Sequence, residues 1–132
     1  MANQAQAMFA DDIASRSLGM ELVQAAEGTA VVRMRVTGQM VNGYDVVHGG
    51  YLFMLADSAF ACACNSPGPV TVAAGADVVF VASARENDVL EAIATERTRH
   101  GRSGVYDVTV RRPVDGQVIA EVRGRSRTIQ RS

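Results

Sequence analysis

The feature that most constrains this chain of 132 residues is an apolar segment in its middle, Gly49–Asn65. The segment is rich in alanine, has few β-branched residues and ends just before Pro67, which is typical of an α-helix. Apolar residues lie on nearly every side of that helix, and such a helix is normally buried. Its nearly uncharged part, residues 51–64, is shorter than the roughly twenty residues that a membrane-spanning helix needs. The rest of the chain must therefore surround one central helix.

Strand patterns flank this helix on both sides. Residues 3–18 predict an N-terminal helix that is capped by Asn3 and stopped at Gly19. Turn residues at Glu27-Gly28 and Asp115-Gly116 predict two hairpins. The predicted strands are residues 20–26, 29–36, 70–81, 89–99, 104–112 and 118–129. No repeat or linker interrupts this order, so we predict a single α+β domain over residues 1–132, with an antiparallel sheet curled around the helix.

Charge and cysteine content exclude several classes of protein. The formal net charge of −1 gives no basic field for nucleic acid or an anionic membrane. Cys62 and Cys64 are the only cysteines, and two histidines complete a poor set of metal ligands, so we expect no disulfide, metal or cofactor. The N-terminus has no basic stretch followed by an apolar core, so we expect no signal peptide and a cytoplasmic location.

Asp57 is the single charge within residues 51–64. Burial of a lone carboxylate is costly, so this position needs hydrogen-bond donors or a function. Asp57 could bond polar groups across a subunit contact or lie at an exposed edge. Alternatively, it could be a carboxylate with a shifted pKa in a half-dry cleft, where it would activate water or attack a carbonyl.

The sequence His48-Gly49-Gly50 stands at the predicted start of the same helix. The first N–H groups of a helix have no intrahelical partner, and glycines let a ligand approach closely. This helix start could therefore polarise a carbonyl and hold an oxyanion. A plain glycine turn is the alternative. Asn42 precedes the motif in an Asn-Gly pair, which predicts a turn or an amide that positions water or substrate.

The spacing of these features bears on assembly. Gly49 and Asp57 are eight residues apart, which corresponds to about 12 Å along a helix. Two groups that far apart in one helix cannot touch the same carbonyl. If both are catalytic, two chains must pair so that each helix start meets the middle of the other helix, and a twofold axis would then create two equivalent sites.

Several motifs together resemble one known family, the PaaI-type thioesterases of the hotdog superfamily. The motifs are Gln39-Met40-Val41-Asn42-Gly43, His48-Gly49-Gly50, Leu55-Ala56-Asp57-Ser58-Ala59-Phe60 and Gly101-Arg102-Ser103-Gly104. The resemblance covers nearly the whole chain in order. It implies a hotdog fold, with an antiparallel sheet wrapped around a long helix, and hydrolysis of acyl-CoA thioesters, notably those of phenylacetyl type.

The resemblance also implies roles for individual residues. Asp57 matches the general base or nucleophile, and Gly49 matches the residue whose N–H polarises the thioester from the neighbouring subunit. His48 and Asn42 match residues that place the thioester and the water. The family forms dimers that usually pair into tetramers, and it uses no metal. Substrate-binding candidates are Gly50, Leu52, Phe53, Arg102 and Ser103.

Three points stay open at this stage. Residues 81–88 lack the proline and glycine that the family often has there, so we expect a loop of altered stiffness. Arg123, Arg125, Arg127 and Arg131 favour a solvated strand face, although they could bind coenzyme A phosphates. Two other functions on the same fold are a non-catalytic acyl-CoA-binding module and an enoyl-CoA hydratase or dehydratase.

Overall fold

The computed structural model describes residues 3–129, so Arg131 lies outside the described part of the chain. Three helices and six strands follow one another, with a 3₁₀ turn at Gly38–Met40. In chain order they are α1 Gln4–Ala10, α2 Ile13–Ser17, β1 Glu21–Ala26, β2 Thr29–Arg35, α3 Gly49–Asn65, β3 Thr71–Phe80, β4 Val89–His100, β5 Ser103–Arg112 and β6 Gln117–Thr128.

The strands form one antiparallel sheet in the order β1-β2-β4-β5-β6-β3. Helix α3 packs against this sheet, and the core between them includes Leu55, Phe60 and Tyr106. The Phe60 and Tyr106 rings lie 5.5 Å apart between centroids. The buried central helix and the antiparallel sheet confirm the α+β prediction, including the bounds of α3.

Strand alternation decides which residues face α3. In β2, Val32 and Met34 are buried against the helix, whereas Arg33 and Arg35 point outward. Both predicted hairpins form. Glu27 and Gly28 have φ of 54° and 84°, as a tight two-residue hairpin turn requires. Each strand begins and ends within one residue of its predicted bounds.

The prediction of one N-terminal helix over residues 3–18 is wrong. Asn3 does cap α1, and its side chain forms a reciprocal capping box with Gln6. Asp12 then interrupts the helix, because its carboxylate accepts the N–H of Ser15 and caps a second helix, α2. The short polar side chain of Asp12 competes with helix continuation, and the chain turns before α2.

The outer sheet face carries paired charges. Arg123, Arg125 and Arg127 are exposed and alternate with buried residues, as predicted. Arg123 pairs with Asp107 and Arg125 pairs with Asp77. These ion pairs favour the interpretation of a solvated face. Exposed pairs of this kind contribute little to stability.

The two cysteines are buried in α3, as predicted. Burial raises the pKa of each thiol to about 12, so both stay neutral and unreactive. Within residues 3–129, no group of three or more histidine, cysteine, aspartate or glutamate side chains is arranged to hold a metal ion. No helix in that same range has the length and apolar character to cross a membrane.

Candidate active site

Asp57 lies on the one face of α3 that is not fully covered. Met54, Asp57 and Ala61 are half-buried at helical spacing, whereas most of the other residues in the middle of the helix are buried. Burial raises the pKa of the Asp57 carboxyl, and the negative charge of Asp12 raises it further. A carboxylate of this kind is a stronger base than an ordinary aspartate and still has access to solvent.

The start of α3 leaves one backbone donor unpaired. His48 is the N-cap, and its Nδ1 accepts the N–H of Gly50 at 3.2 Å. The N–H of Tyr51 donates to the His48 carbonyl at 2.9 Å. Among residues 3–129 nothing accepts the N–H of Gly49. Because Nδ1 accepts, the neutral His48 ring carries its proton on Nε2, where it can donate to a ligand.

The unpaired Gly49 N–H belongs to the wall of a mostly apolar cavity of about 440 Å³. Its lining residues are Val47, His48, Gly49, Gly50, Leu52, Phe80, Ala82 and Ser83. The Phe80 ring lies directly over Gly49, because a Cβ added at Gly49 would come within 2.8 Å of Phe80 Cζ. The absence of a side chain at Gly49 therefore lets the Phe80 ring approach the start of α3 closely.

Asn42 forms the predicted turn. Its Oδ1 accepts the N–H of Tyr44 at 2.8 Å and that of Val46 at 3.4 Å. Any hydrogen bond from the Asn42 side chain to a ligand would therefore come from Nδ2. The backbone of this turn also supports the site, because the N–H of His48 donates to the Met40 carbonyl at 2.7 Å.

The other candidates separate into two groups. Leu52 lines the Gly49 cavity together with Gly50, whereas Phe53 does not line it and is half-buried against the core. Arg102 and Ser103 lie at the β4–β5 hairpin. Ser103 lines a different cavity of about 280 Å³. Within one chain these two residues are not brought to the Gly49 cavity.

Asp57 also does not line the Gly49 cavity. Helix α3 is continuous from Gly49 to Asn65, so the separation of about 12 Å between the two residues is kept. One chain therefore presents an unpaired backbone N–H in one place and a half-buried carboxylate in another.

Known proteins are similar to this chain in both sequence and fold. The sequence model of the thioesterase superfamily matches residues 44–119. The chain is also 42% identical to the acyl-coenzyme A thioesterase PaaI of Escherichia coli (strain K12), over 95% of this chain and 89% of that protein. The chain belongs to the thioesterase superfamily.

Solved structures confirm the hotdog fold and the PaaI-type resemblance of this thioesterase. The E. coli PaaI structure matches with a TM-score of 0.93 and 40% identity, over 96% of this chain and 91% of that one. A mutant of the phenylacetic acid degradation protein PaaI from Thermus thermophilus matches with a TM-score of 0.82 and 31% identity, over 87% and 97% of the two chains. This protein is therefore an enzyme that hydrolyses thioesters.

Sequence reasoning missed one part of the neighbourhood of Asp57 in this thioesterase. The Ser15 hydroxyl contacts that of Ser58 at 2.7 Å, and Ser15 also bonds Asp12. Asp12 and Ser15 precede residues 44–119, the part that the superfamily model matches. An Asp-x-x-Ser pattern predicts a helix cap, but the contact with Ser58 joins residues 43 positions apart and has no local signal.

Proposed function

We propose that this enzyme hydrolyses acyl-CoA thioesters, with Asp57 as the catalytic carboxylate and the Gly49 N–H as the oxyanion donor. The observation that carries the proposal is the unpaired Gly49 N–H at the start of α3, inside an apolar cavity. A donor fixed in a dry cavity stabilises the charge that develops on a carbonyl oxygen. The name of the E. coli relative, an acyl-coenzyme A thioesterase, supports the choice of substrate.

Two chemical routes use these groups. In the first, Asp57 takes a proton from water, and the hydroxide attacks the thioester carbon while Gly49 binds the oxyanion. Collapse of this intermediate breaks the C–S bond, and the thiolate recovers the proton from Asp57. In the second, the carboxylate attacks the thioester carbon and the C–S bond breaks, which leaves a mixed anhydride and the coenzyme A thiolate. Water then hydrolyses the anhydride, which restores the Asp57 carboxylate, and the proton released goes to the thiolate. Both routes release a carboxylic acid and free coenzyme A.

The environment of Asp57 suits either route. A carboxyl whose pKa is raised by burial is more basic and less well solvated than a surface aspartate. We assign the neutral His48 ring, through Nε2–H, and the Asn42 amide to orientation of the thioester and the water. Gly50, Leu52, Phe53, Arg102 and Ser103 complete the proposed set of substrate contacts.

The active site is proposed to form between two chains. Since one continuous helix keeps Gly49 and Asp57 about 12 Å apart, a second copy must supply the missing group. Strand β3 offers a surface for this pairing. It is an edge strand of ten residues, and Val72, Val79 and Phe80 are exposed on it. A long apolar edge strand is normally covered, and antiparallel pairing with a second β3 would do this. Pairing of two such dimers would give a tetramer.

The preferred acyl group is proposed to be aromatic, of phenylacetyl or hydroxyphenylacetyl type. Leu52, Phe80 and Val47 give the cavity an apolar wall, and its volume of about 440 Å³ accommodates such a ring. A panel of aromatic and aliphatic acyl-CoAs, followed by release of free thiol, measures this preference. A higher kcat/KM for straight medium-length chains would contradict it.

Replacement of Asp57 by Asn tests the catalytic carboxylate. Asn keeps the size and polarity of the side chain but is neither a base nor an effective nucleophile, so we expect thiol release to fall at least about 10³-fold. Size-exclusion chromatography should show an unchanged oligomer. Full turnover by Asp57→Asn would refute the assignment.

Mixing of two inactive variants tests the shared site. Gly49→Pro removes the N–H at the first helical position, where proline fits. Hybrids of Asp57→Asn and Gly49→Pro chains hold one intact site and one doubly defective site. Refolding equal amounts together should therefore restore roughly a quarter of the wild-type activity. If the mixture stays inactive while hybrids form, the two groups act within one chain.

A further inference from the structure

A buried hydrogen bond between two hydroxyl groups joins helix α2 to α3. Ser15 Oγ lies 2.7 Å from Ser58 Oγ, and the two residues are 0% and 6% exposed. Ser15 Oγ also donates to Asp12 Oδ2 at 2.7 Å, and the Ser15 N–H donates to Asp12 Oδ1 at 2.9 Å. Ser58 immediately follows Asp57 in α3. The Asp12 carboxylate is thus linked through one serine to the helical turn that carries the catalytic residue.

The number of hydroxyl hydrogens limits which of these hydrogen bonds can form at the same time. Three contacts join Asp12 to Ser15, Ser15 to Ser58, and Ser58 to the Met54 carbonyl at 3.0 Å, but the two hydroxyls supply only two hydrogens. While Asp12 is ionised, Ser15 donates to it, and Ser58 donates either to Ser15 or to Met54. The charge of Asp12 is therefore held by the hydroxyl and N–H of Ser15.

No lysine, arginine or histidine within residues 3–129 forms an ion pair with Asp12. Arg16, the basic residue of α2, donates to the Ala10 carbonyl instead. The negative charge of Asp12 is thus not neutralised by a cation, and it acts on its surroundings through partly buried protein.

We propose that Asp12 is a positioning residue for thioester hydrolysis: the Ser15–Ser58 pair holds its negative charge beside Asp57, and this charge sets the pH range in which the enzyme works. The inference rests on the proposed role of Asp57. It assigns to α2, which precedes the matched part of the superfamily model, a function in the reaction.

The electrostatics of Asp57 agree with this geometry. Burial is the larger cause of its raised pKa, and the charge of Asp12 is the second. On the same helix, the Cys64 thiol senses Asp57, but its pKa of about 12 keeps it neutral, so it adds no charge. Among the described residues, Asp12 is therefore the charged group that raises the pKa of Asp57.

Asp12→Asn is the decisive variant, because Asn caps a helix as well as Asp does but carries no charge. Removal of the charge lowers the pKa of Asp57, so the ionised base persists to lower pH. The acid limb of the kcat/KM profile should therefore move to lower pH. On that limb the variant should be faster than the wild type, and on the neutral plateau it should be no faster, because a carboxylate of lower pKa is a weaker base. Loss of thioester absorbance follows the rate at every pH without a thiol reagent.

Asp11→Asn is the matched control, since it removes the same charge from an exposed neighbour that is not bonded to Ser15. Its acid limb should move less than that of Asp12→Asn. Asp12→Ser, a second uncharged cap, should repeat the shift and guards against a folding defect of the Asn variant. A lower plateau with an unmoved acid limb in both Asp12 variants would show a merely structural role and overturn the inference. That result is distinct from failure of the proposed function, which would appear as full activity of Asp57→Asn.

Discussion

The two ends of α3 differ in whether their polar groups are hydrogen-bonded within the protein. At the C-terminal end, Asn65 is 2% exposed and both polar atoms of its side chain are hydrogen-bonded: Nδ2 donates to the Ala61 and Thr71 carbonyls, and Oδ1 accepts the Thr71 N–H. Ser66 Oγ donates to the Ala63 carbonyl and accepts the N–H of Gly28. At the N-terminal end, the Gly49 N–H has no acceptor among the described residues.

This contrast separates stability from function within one helix. Polar groups in buried positions are almost always paired, and the pairs with Thr71 and Gly28 at the Asn65 end tie α3 to a neighbouring strand and hairpin. An unpaired donor in a cavity is an exception that a ligand can satisfy. The C-terminal end therefore anchors the helix, and the N-terminal end keeps a donor with which a ligand can pair. Substitutions at the two ends should have different consequences.

The largest effect is expected at Gly49, from a comparison of Gly49→Pro with Gly49→Ala. Both add a Cβ that must displace the exposed Phe80 ring, but only proline removes the N–H. His48 has ψ of 136°, which suits a residue before proline, so the fold should tolerate the change. Loss of one oxyanion donor costs about 10²–10³-fold in kcat.

Steady-state kinetics of the two variants isolate that donor. We expect Gly49→Pro to be about 10²-fold slower than Gly49→Ala, with similar thermal unfolding of both. Equal activity of the two variants would mean that the Gly49 N–H does not bind the oxyanion. The two ends of α3 would then differ in the exposure of their polar groups and not in function.

The second largest effect is expected at Asn65, where substitution should lower the stability of the fold and leave the catalytic rate unchanged. Asn65→Ala leaves the Thr71 N–H and carbonyl without their side-chain partner in a buried place, which should cost about 2–3 kcal/mol in the free energy of unfolding. Chemical denaturation measures this loss. Below the unfolding transition, kcat/KM should stay near the wild-type value. Asn3→Ala, which removes a half-buried helix cap that also donates to the Ala25 carbonyl, is the control for loss of a polar side chain and should cost about 1 kcal/mol.

A loss of stability below that of the Asn3 control would contradict the anchoring role of Asn65. Loss of activity without loss of stability would contradict the separation of functions between the two ends of α3.

How far the sequence predicts these features depends on whether their cause is local. The bounds of α3 follow from alanine content, the proline after it and the glycines before it, so the prediction matches the structure. The N-terminal helix was predicted wrongly because Asp12 bonds the N–H of Ser15, and nothing in the apolar pattern indicates that preference. The hotdog topology came from the resemblance, since strand order is not encoded in a single strand.

The features of the candidate site also differ in whether their cause is local in the sequence. Asp57 and the glycine motif are conspicuous in the sequence because a lone charge and two glycines are unusual in a buried helix. The pairing of Gly50 with His48 Nδ1, beside a Gly49 N–H that has no acceptor among residues 3–129, depends on side-chain geometry. The contact of Ser15 with Ser58 joins distant segments. Neither contact could be predicted from residue types and spacing.

The smallest effect is expected at His48, where the capping role and the proposed role with substrate can be separated. His48→Ala removes the acceptor of the Gly50 N–H and should cost about 1 kcal/mol of stability, whereas His48→Asn restores a good cap and should cost less than about 0.5 kcal/mol. Asn cannot place a donor where Nε2–H lies, so both variants should lose about tenfold in kcat/KM. Thermal unfolding and kinetics on the same samples give the two readouts. Recovery of activity together with stability in His48→Asn would reduce His48 to a helix cap, and the Gly49 N–H would then be left as the proposed donor to the thioester oxygen at this end of α3.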